Sequence, residues 1–224
     1  GRVKGRRFGV VGFFGQSGVE VEGLRFHGGR QFEGFLGGGG RAAELGQERL
    51  AGQAAFEATG CVGEQGGQVS DRLKNVGTML EKAGFSVKLS ENVIGLIWGK
   101  LFVNVGINAL TAVTGLKNGR LVELPETDEL LELAVREAVE VARIAGIRIE
   151  TENPVEHTRK VARLTAANRS SMLQDVTNHR QTEIDVINGA IVDEGKKLGV
   201  PTPVNLALTN LVRVRQKTYD EFSV

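Results

Sequence analysis

The chain has 224 residues but only one cysteine, Cys61, one tryptophan, one tyrosine and four prolines. A single thiol cannot close an intramolecular disulfide or supply a four-thiolate zinc site. The three histidines, His27, His157 and His179, are far apart in sequence and show no H-E-x-x-H spacing, which excludes that type of zinc site. Excess charge of one sign is also missing: 28 Lys and Arg stand against 27 Asp and Glu, a net +1. That balance removes any global electrostatic case for nucleic acid or an anionic membrane. Arg2, Lys4, Arg6 and Arg7 lead into a Gly-broken stretch instead of an apolar run, so no signal peptide is expected, and a reducing, cytoplasmic setting is. With 41% hydrophobic and 25% charged residues, the composition is that of a globular protein of one or two domains.

The absences are unevenly spread. Residues 1–70 lack Pro, Asn, Asp, Ile and Tyr altogether, yet hold 20 of the 31 glycines and seven of the ten phenylalanines. So much glycine weakens both helices and strands, and the run 37–40 reads as a flexible linker. Only a strand over 8–14 and a helix over 42–58 are expected there, in a poorly ordered or degenerate α/β segment. From about Ser70 the periodicity turns helical. A helix is predicted over 71–83 with Gly84 as its stop, then a strand over 85–89, then a long apolar helix over 91–113. Further helices are predicted over 127–145, with Leu130, Leu133, Ala134, Val141 and Ile144 inward, over 155–167, and from 182 to a Gly199-Val200-Pro201 ending. The last opens on Thr202-Pro203, a cap followed by proline at the first helical position. The fold class is therefore mainly α. The expected organisation is an atypical segment 1–70, a helix and strand left over from a preceding domain at 71–90, and a helical domain at 91–224.

The apolar helix raises the question of a membrane span, since 24 residues from Val93 to Leu116 contain one charged side chain. Lys100, Asn104 and Asn108 argue against it, because a lysine and two amides facing lipid are costly. Spaced i, i+4 and i+8, the three drift by only about 80° around a helix and form one polar ridge on an apolar rod. A helix apolar on most sides is the central helix of a soluble domain. One such residue is explained by a structural hydrogen bond or a snorkelling lysine. Three in line read as the wall of a polar cleft whose donors converge on a small anion. A lysine against apolar surroundings has its charged form disfavoured by desolvation, which suits it to proton donation.

A second cluster runs Asn168-Arg169-Ser170-Ser171-Met172-Leu173-Gln174-Asp175, followed by Thr182-Glu183-Ile184-Asp185. Ser171 and Gln174 fit a helix capping box, which is a structural role sufficient by itself. Glu183 falls near a predicted helix N-terminus, where a carboxylate is favoured, at the edge of the face carrying Ile184, Ile187 and Ile191. Together, the segment from Trp98-Gly99-Lys100-Leu101 to Asn108-Ala109-Leu110-Thr111-Ala112, the 168–175 cluster with Arg180 to Gly189 behind it, and the ending Gly199-Val200-Pro201-Thr202-Pro203-Val204-Asn205 resemble the C-terminal domain of the ketopantoate reductase (2-dehydropantoate 2-reductase) family. The resemblance spans about residues 70–221. It implies an all-helical domain like the C-terminal one of 6-phosphogluconate dehydrogenase, and NADPH-dependent reduction of 2-dehydropantoate to pantoate on the route to pantothenate and coenzyme A. It makes Lys100 the catalytic lysine, places Asn104, Asn108, Asn118 and Ser171 on substrate, and puts Glu183 at the substrate hydroxyl and the cofactor.

The N-terminal part departs from that family, which opens with a Rossmann domain whose Gly-x-Gly-x-x-Gly cradles the NADPH pyrophosphate. The nearest candidate here is Val10-Val11-Gly12-Phe13-Phe14-Gly15-Gln16-Ser17-Gly18. Its glycines recur every third residue, with Phe14 where the backbone should approach phosphate and Ser17 in place of the third glycine. Ninety residues are also too few for two complete mononucleotide-binding halves, and the asparagine that the family places late in that domain has no counterpart. The composition break therefore predicts that residues 1–70 are not a natural cofactor domain but an out-of-frame stretch joined to a genuine C-terminal domain, and that the chain alone does not bind NADPH. Three alternatives stay open. One is a helical interaction module that pairs as a homodimer through an exposed apolar surface. Another is a reductase of a different 2-keto acid. The third, nucleic-acid binding through the N-terminal arginines, is set against acids interleaved among them, such as Glu20, Glu22 and Glu33.

Overall fold

The computed structural model describes residues 10–14, 24–27, 31–34 and 59–221. The chain divides into two compact units, with the boundary between Val93 and Ile94. The helix expected over 42–58 and the glycine run 37–40 lie outside the described residues.

In the first unit, β1 (Val10–Phe14), β4 (Thr59–Glu64) and β5 (Ser86–Ser90) form a sheet in the order β1-β4-β5, and β2 (Leu24–His27) pairs with β3 (Gln31–Gly34) as an antiparallel hairpin. β1 runs antiparallel to β4, from Val10 opposite Glu64 to Phe14 opposite Gly60. β4 and β5 are parallel and joined through α1 (Asp71–Lys82), since parallel neighbours need a crossover. Ser70 caps α1, accepting from the Leu73 N–H at 3.2 Å while its hydroxyl donates to the buried Glu64 carboxylate at 2.5 Å. The expected strand and helix on this side of the chain are thus present within two or three residues.

The second unit is all helical. α2 (Val93–Thr114) is its central rod, followed by a 3-10 turn at Asn118–Val122 and by α3 (Pro125–Ile144), α4 (Pro154–Leu164), α5 (Ser171–Thr177), α6 (Asn188–Leu198) and α7 (Pro203–Lys217). α2 is long and apolar enough to cross a membrane, but 72% of its most apolar window is buried inside the protein. It is a core helix. Gly106 is the point of closest approach: a Cβ there would lie 2.8 Å from Val135 Cγ2 and 2.9 Å from Thr158 Cγ2, so α3 and α4 cross α2 where it has no side chain. The stops expected at Gly146 and Gly199 hold, both at positive φ (74° and 71°), which glycine adopts without steric cost.

Three expectations are corrected. The buried stripe of α3 is Leu131, Ala134, Val135, Ala138, Val141 and Ala142, whereas Leu130, Leu133 and Ile144 are about 40% exposed. Close helix packing selects the alanines and turns the larger side chains outward. The helix expected from Thr182 begins only at Asn188, because residues 183–187 form a turn. Thr202 does stand at the N-cap of α7 but makes no side-chain cap bond. The Glu137 carboxylate of α3 does that work, accepting from the Val204 and Asn205 N–H groups at 2.9 Å each.

Candidate functional site

A regular helix rises 1.5 Å per residue, so Lys100, Asn104 and Asn108 follow one another at about 6 Å along α2. Their burial deepens in that order: Lys100 is exposed, Asn104 half-buried, and Asn108 only 7% exposed. The apolar surroundings expected around Lys100 are therefore not present, and the ridge enters the fold from its lysine end. The carboxamides of Asn104 and Asn108 form no hydrogen bond with any described residue. Both carboxamides lie in line with a cation.

The deep end of the ridge is tied to the second cluster. The Thr111 hydroxyl donates to the Asn108 carbonyl at 2.9 Å and lies 2.6 Å from the Ser170 hydroxyl. Ser170 in turn caps α5, accepting from the Leu173 N–H at 3.0 Å. The cap is thus Ser170, one residue before the serine expected to serve, and Gln174 bonds instead to the Arg169 carbonyl at 3.0 Å. As a result Ser171, half-buried, is spared from capping and forms no side-chain hydrogen bond with a described residue.

Asn118 joins from the other side. Its N–H donates to the Asn168 carbonyl at 3.1 Å, and Gly119 N–H donates to the Ala166 carbonyl at 3.3 Å. The Asn118 Nδ2 donates to the Thr165 hydroxyl at 3.0 Å, while its Oδ1 is buried without a partner. An orphaned buried acceptor costs free energy until a donor meets it. Gly119 permits this approach, since a Cβ there would sit 2.4 Å from that of Ala166. Two cross-links, Thr111 to Ser170 and Asn118 to Asn168, therefore bring Asn108, Asn118 and Ser171 to one neighbourhood. Glu183 is set apart from them in chain and in kind. It is exposed in the turn before α6, and its carbonyl accepts from the Val186 and Ile187 N–H groups at 3.1 Å each.

Sequence reading missed the second layer. Asn188, fully buried in α6, donates through Nδ2 to the Val105 carbonyl at 3.2 Å and to Asn205 Oδ1 at 2.9 Å. Asn205 Nδ2 then donates to the Ala134 carbonyl and to Glu137 at 3.0 and 2.7 Å. The network fixes α2 at the residue beside Asn104. Two buried asparagines on helices otherwise apolar on that side were the only available signal. Among the described residues no cluster of His, Cys, Asp or Glu could hold a metal ion.

Residues 92–216 match the family described as Ketopantoate reductase PanE/ApbA C terminal. The chain is 40% identical over 152 residues to the 2-dehydropantoate 2-reductase of Archaeoglobus fulgidus, covering 68% of this chain and 51% of that protein. With its counterpart from Pyrobaculum aerophilum it shares 43% over 138 residues, 62% of this chain and 49% of the relative. Among solved structures it resembles a PanE/ApbA family ketopantoate reductase from Ralstonia eutropha (TM-score 0.66, 31% identity, 72% of this chain and 52% of that one). It also resembles D-mandelate dehydrogenase in a ternary structure with NADH and anilino(oxo)acetate (TM-score 0.68, 27% identity, 75% of this chain and 70% of that one). The chain spans about half the length of the curated relatives it matches. With more than half of its residues matched, all in the helical part built around the α2 ridge, the chain belongs to the ketopantoate reductase family, of which it carries the C-terminal domain.

Proposed function

We propose that the helical unit grips 2-dehydropantoate as the substrate-binding half of a reductase. The observation that carries the reading is the set of polar groups unused by the fold: the carboxamides of Asn104 and Asn108 and the Ser171 hydroxyl. Lys100 heads their line as a cation at its exposed end. In this reading the Lys100 ammonium donates to the keto oxygen, where negative charge develops as the carbonyl is reduced, a placement of the oxyanion-hole type. Asn104, Asn108 and Ser171 supply hydrogen bonds that orient the acid, and Asn118 Oδ1 offers an acceptor to a substrate hydroxyl. Glu183 accepts from a hydroxyl as well.

D-mandelate dehydrogenase, which this chain resembles, is seen with NADH, whereas the loop of the glycine repeat here, residues 15–18, lies outside the described residues. β1, which contains Gly12 of that repeat, runs antiparallel to its neighbour instead of in a parallel βαβ unit. The reading therefore covers the substrate side alone.

Titrating pantoate, the hydroxy-acid product, into the isotopically labelled chain tests it by NMR. The side-chain amides of Asn104 and Asn108 and the Ser171 N–H should shift saturably. Asn108→Ala and Lys100→Ala should each weaken binding about 10- to 100-fold, the loss of a hydrogen bond to a charged group. Shifts that do not saturate at millimolar pantoate, or that leave these residues untouched, would sink the reading. A second reading, a different 2-keto acid, draws on the likeness to D-mandelate dehydrogenase. Tighter binding of mandelate than of pantoate at the same residues would favour it.

A further inference from the structure

We infer that Gln216, on the last turn of α7, is a positioning residue for Glu183, and that the C-terminal end of the described chain clasps the turn on which Glu183 sits. The inference rests on the reading that Glu183 meets a substrate hydroxyl. The turn that carries Glu183 is anchored through its neighbours, and these anchors come from α7 and the 3-10 turn Tyr219–Glu221 that follows it. Gln216 Oε1 accepts the Thr182 N–H at 2.5 Å, one residue before Glu183. The Thr182 hydroxyl then accepts the Ile184 N–H at 3.3 Å, bridging Glu183 from both sides. Arg213 donates to Asp185 Oδ1 at 2.7 Å, and the Tyr219 hydroxyl donates to the Arg180 carbonyl at 2.8 Å. The Tyr219 ring stacks on His179 with centroids 4.9 Å apart and planes within 8°. His179 itself takes a positive φ of 54°, a backbone state that needs outside support in a residue other than glycine.

These anchors differ in weight. Asp185 and Arg213 are both about half exposed, and an exposed ion pair contributes little. Thr182 is 7% exposed, so its N–H would be left buried without a partner if the Gln216 acceptor were removed. Gln216 is thus the member of the clasp whose loss frees the backbone next to Glu183. Preorganised groups bind better because no ordering is left to be done on binding.

The test is a double-mutant cycle read by pantoate binding to the full chain. Gln216→Ala should weaken pantoate by about the same factor as Glu183→Gln, roughly fivefold or more. The double variant should be no weaker than Glu183→Gln alone. Gln216→Glu, which keeps an acceptor oxygen, should bind as the parent does, and amide exchange at Thr182 should be slow in the parent and Gln216→Glu but fast in Gln216→Ala. If Gln216→Ala unfolds the chain, Gln216→Lys replaces it, keeping the helical stem without an acceptor. Additive losses in a parent chain that binds pantoate overturn the Gln216 assignment and leave the substrate reading standing. A parent chain that shows no saturable pantoate response overturns the substrate reading and the ligand role of Glu183 with it.

Discussion

At the scale of single residues, the asparagines of the helical unit divide by what they bond. Asn104 and Asn108 are left to solvent or ligand, whereas Asn188 is spent on the fold. Asn188 has two donors and uses both, on the Val105 carbonyl and on Asn205 Oδ1. Its own Oδ1 is buried and unpartnered. Asn188→Ala leaves Asn205 Oδ1 without its donor and opens a small void, which should cost about 2–3 kcal/mol. Asn188→Asp should cost more at neutral pH, since it puts a carboxylate among acceptors with no donor of its own. Urea midpoints should therefore fall in the order parent, Ala, Asp. An aspartate variant as stable as the parent would show that the network does not hold α2.

At the scale of elements, α3 and α4 are joined by Arg159. Its guanidinium, only 15% exposed, donates to both Asp128 oxygens at 2.8 Å, to Glu132 at 2.6 Å and to Glu156 at 2.7 Å. A planar fork suits this bidentate arrangement where a lysine would not. Hydrogen bonds from Arg159, then from Arg136, hold the Glu132 carboxyl below the ordinary carboxylate range. A depressed folded-state pKa means that the unfolded chain takes up protons first as pH falls. The stabilisation is complete above the usual Glu value of about 4.3 and is lost as pH drops through the lower folded value. Arg159→Met should lower stability by about 1–2 kcal/mol at pH 7. It should also flatten the dependence of stability on pH below about 4.5, which urea unfolding at pH 3 to 6 would measure. A slope equal to the parent's would remove Arg159 from that role.

At the scale of the whole molecule, the chain spans about half the length of the curated relatives it matches. The described part of the first unit offers one parallel βαβ unit, β4-α1-β5, and an antiparallel partner strand. A dinucleotide is held where a parallel strand turns through glycines into a helix N-terminus, whereas β1, which leads into the glycine repeat, is antiparallel to its neighbour. Calorimetric titration of NADPH into the chain should therefore give no saturable heat. A saturable isotherm would show that residues 1–70 form a cofactor site after all.

The sequence by itself determined whatever depends on fixed local geometry. Helical periodicity located the helices of the second unit to within a few residues, except for α5, of which only a capping box was read, and the start of α6. The i, i+4, i+8 spacing put Lys100, Asn104 and Asn108 on one ridge, because rise and rotation per residue do not change with context. Tertiary structure decided how deep that ridge runs, which face of α3 is buried, which of two adjacent serines caps α5, and that Glu183 lies on a turn. Each of these depends on partners distant in the chain: Thr111 meets Ser170 across 59 residues, Asn188 meets Val105 across 83, and Gln216 meets Thr182 across 34. No local pattern encodes them, since a hydrogen bond between helices is chosen by how the helices cross, and small residues such as Gly106 and Ala134 decide that crossing by what they leave out.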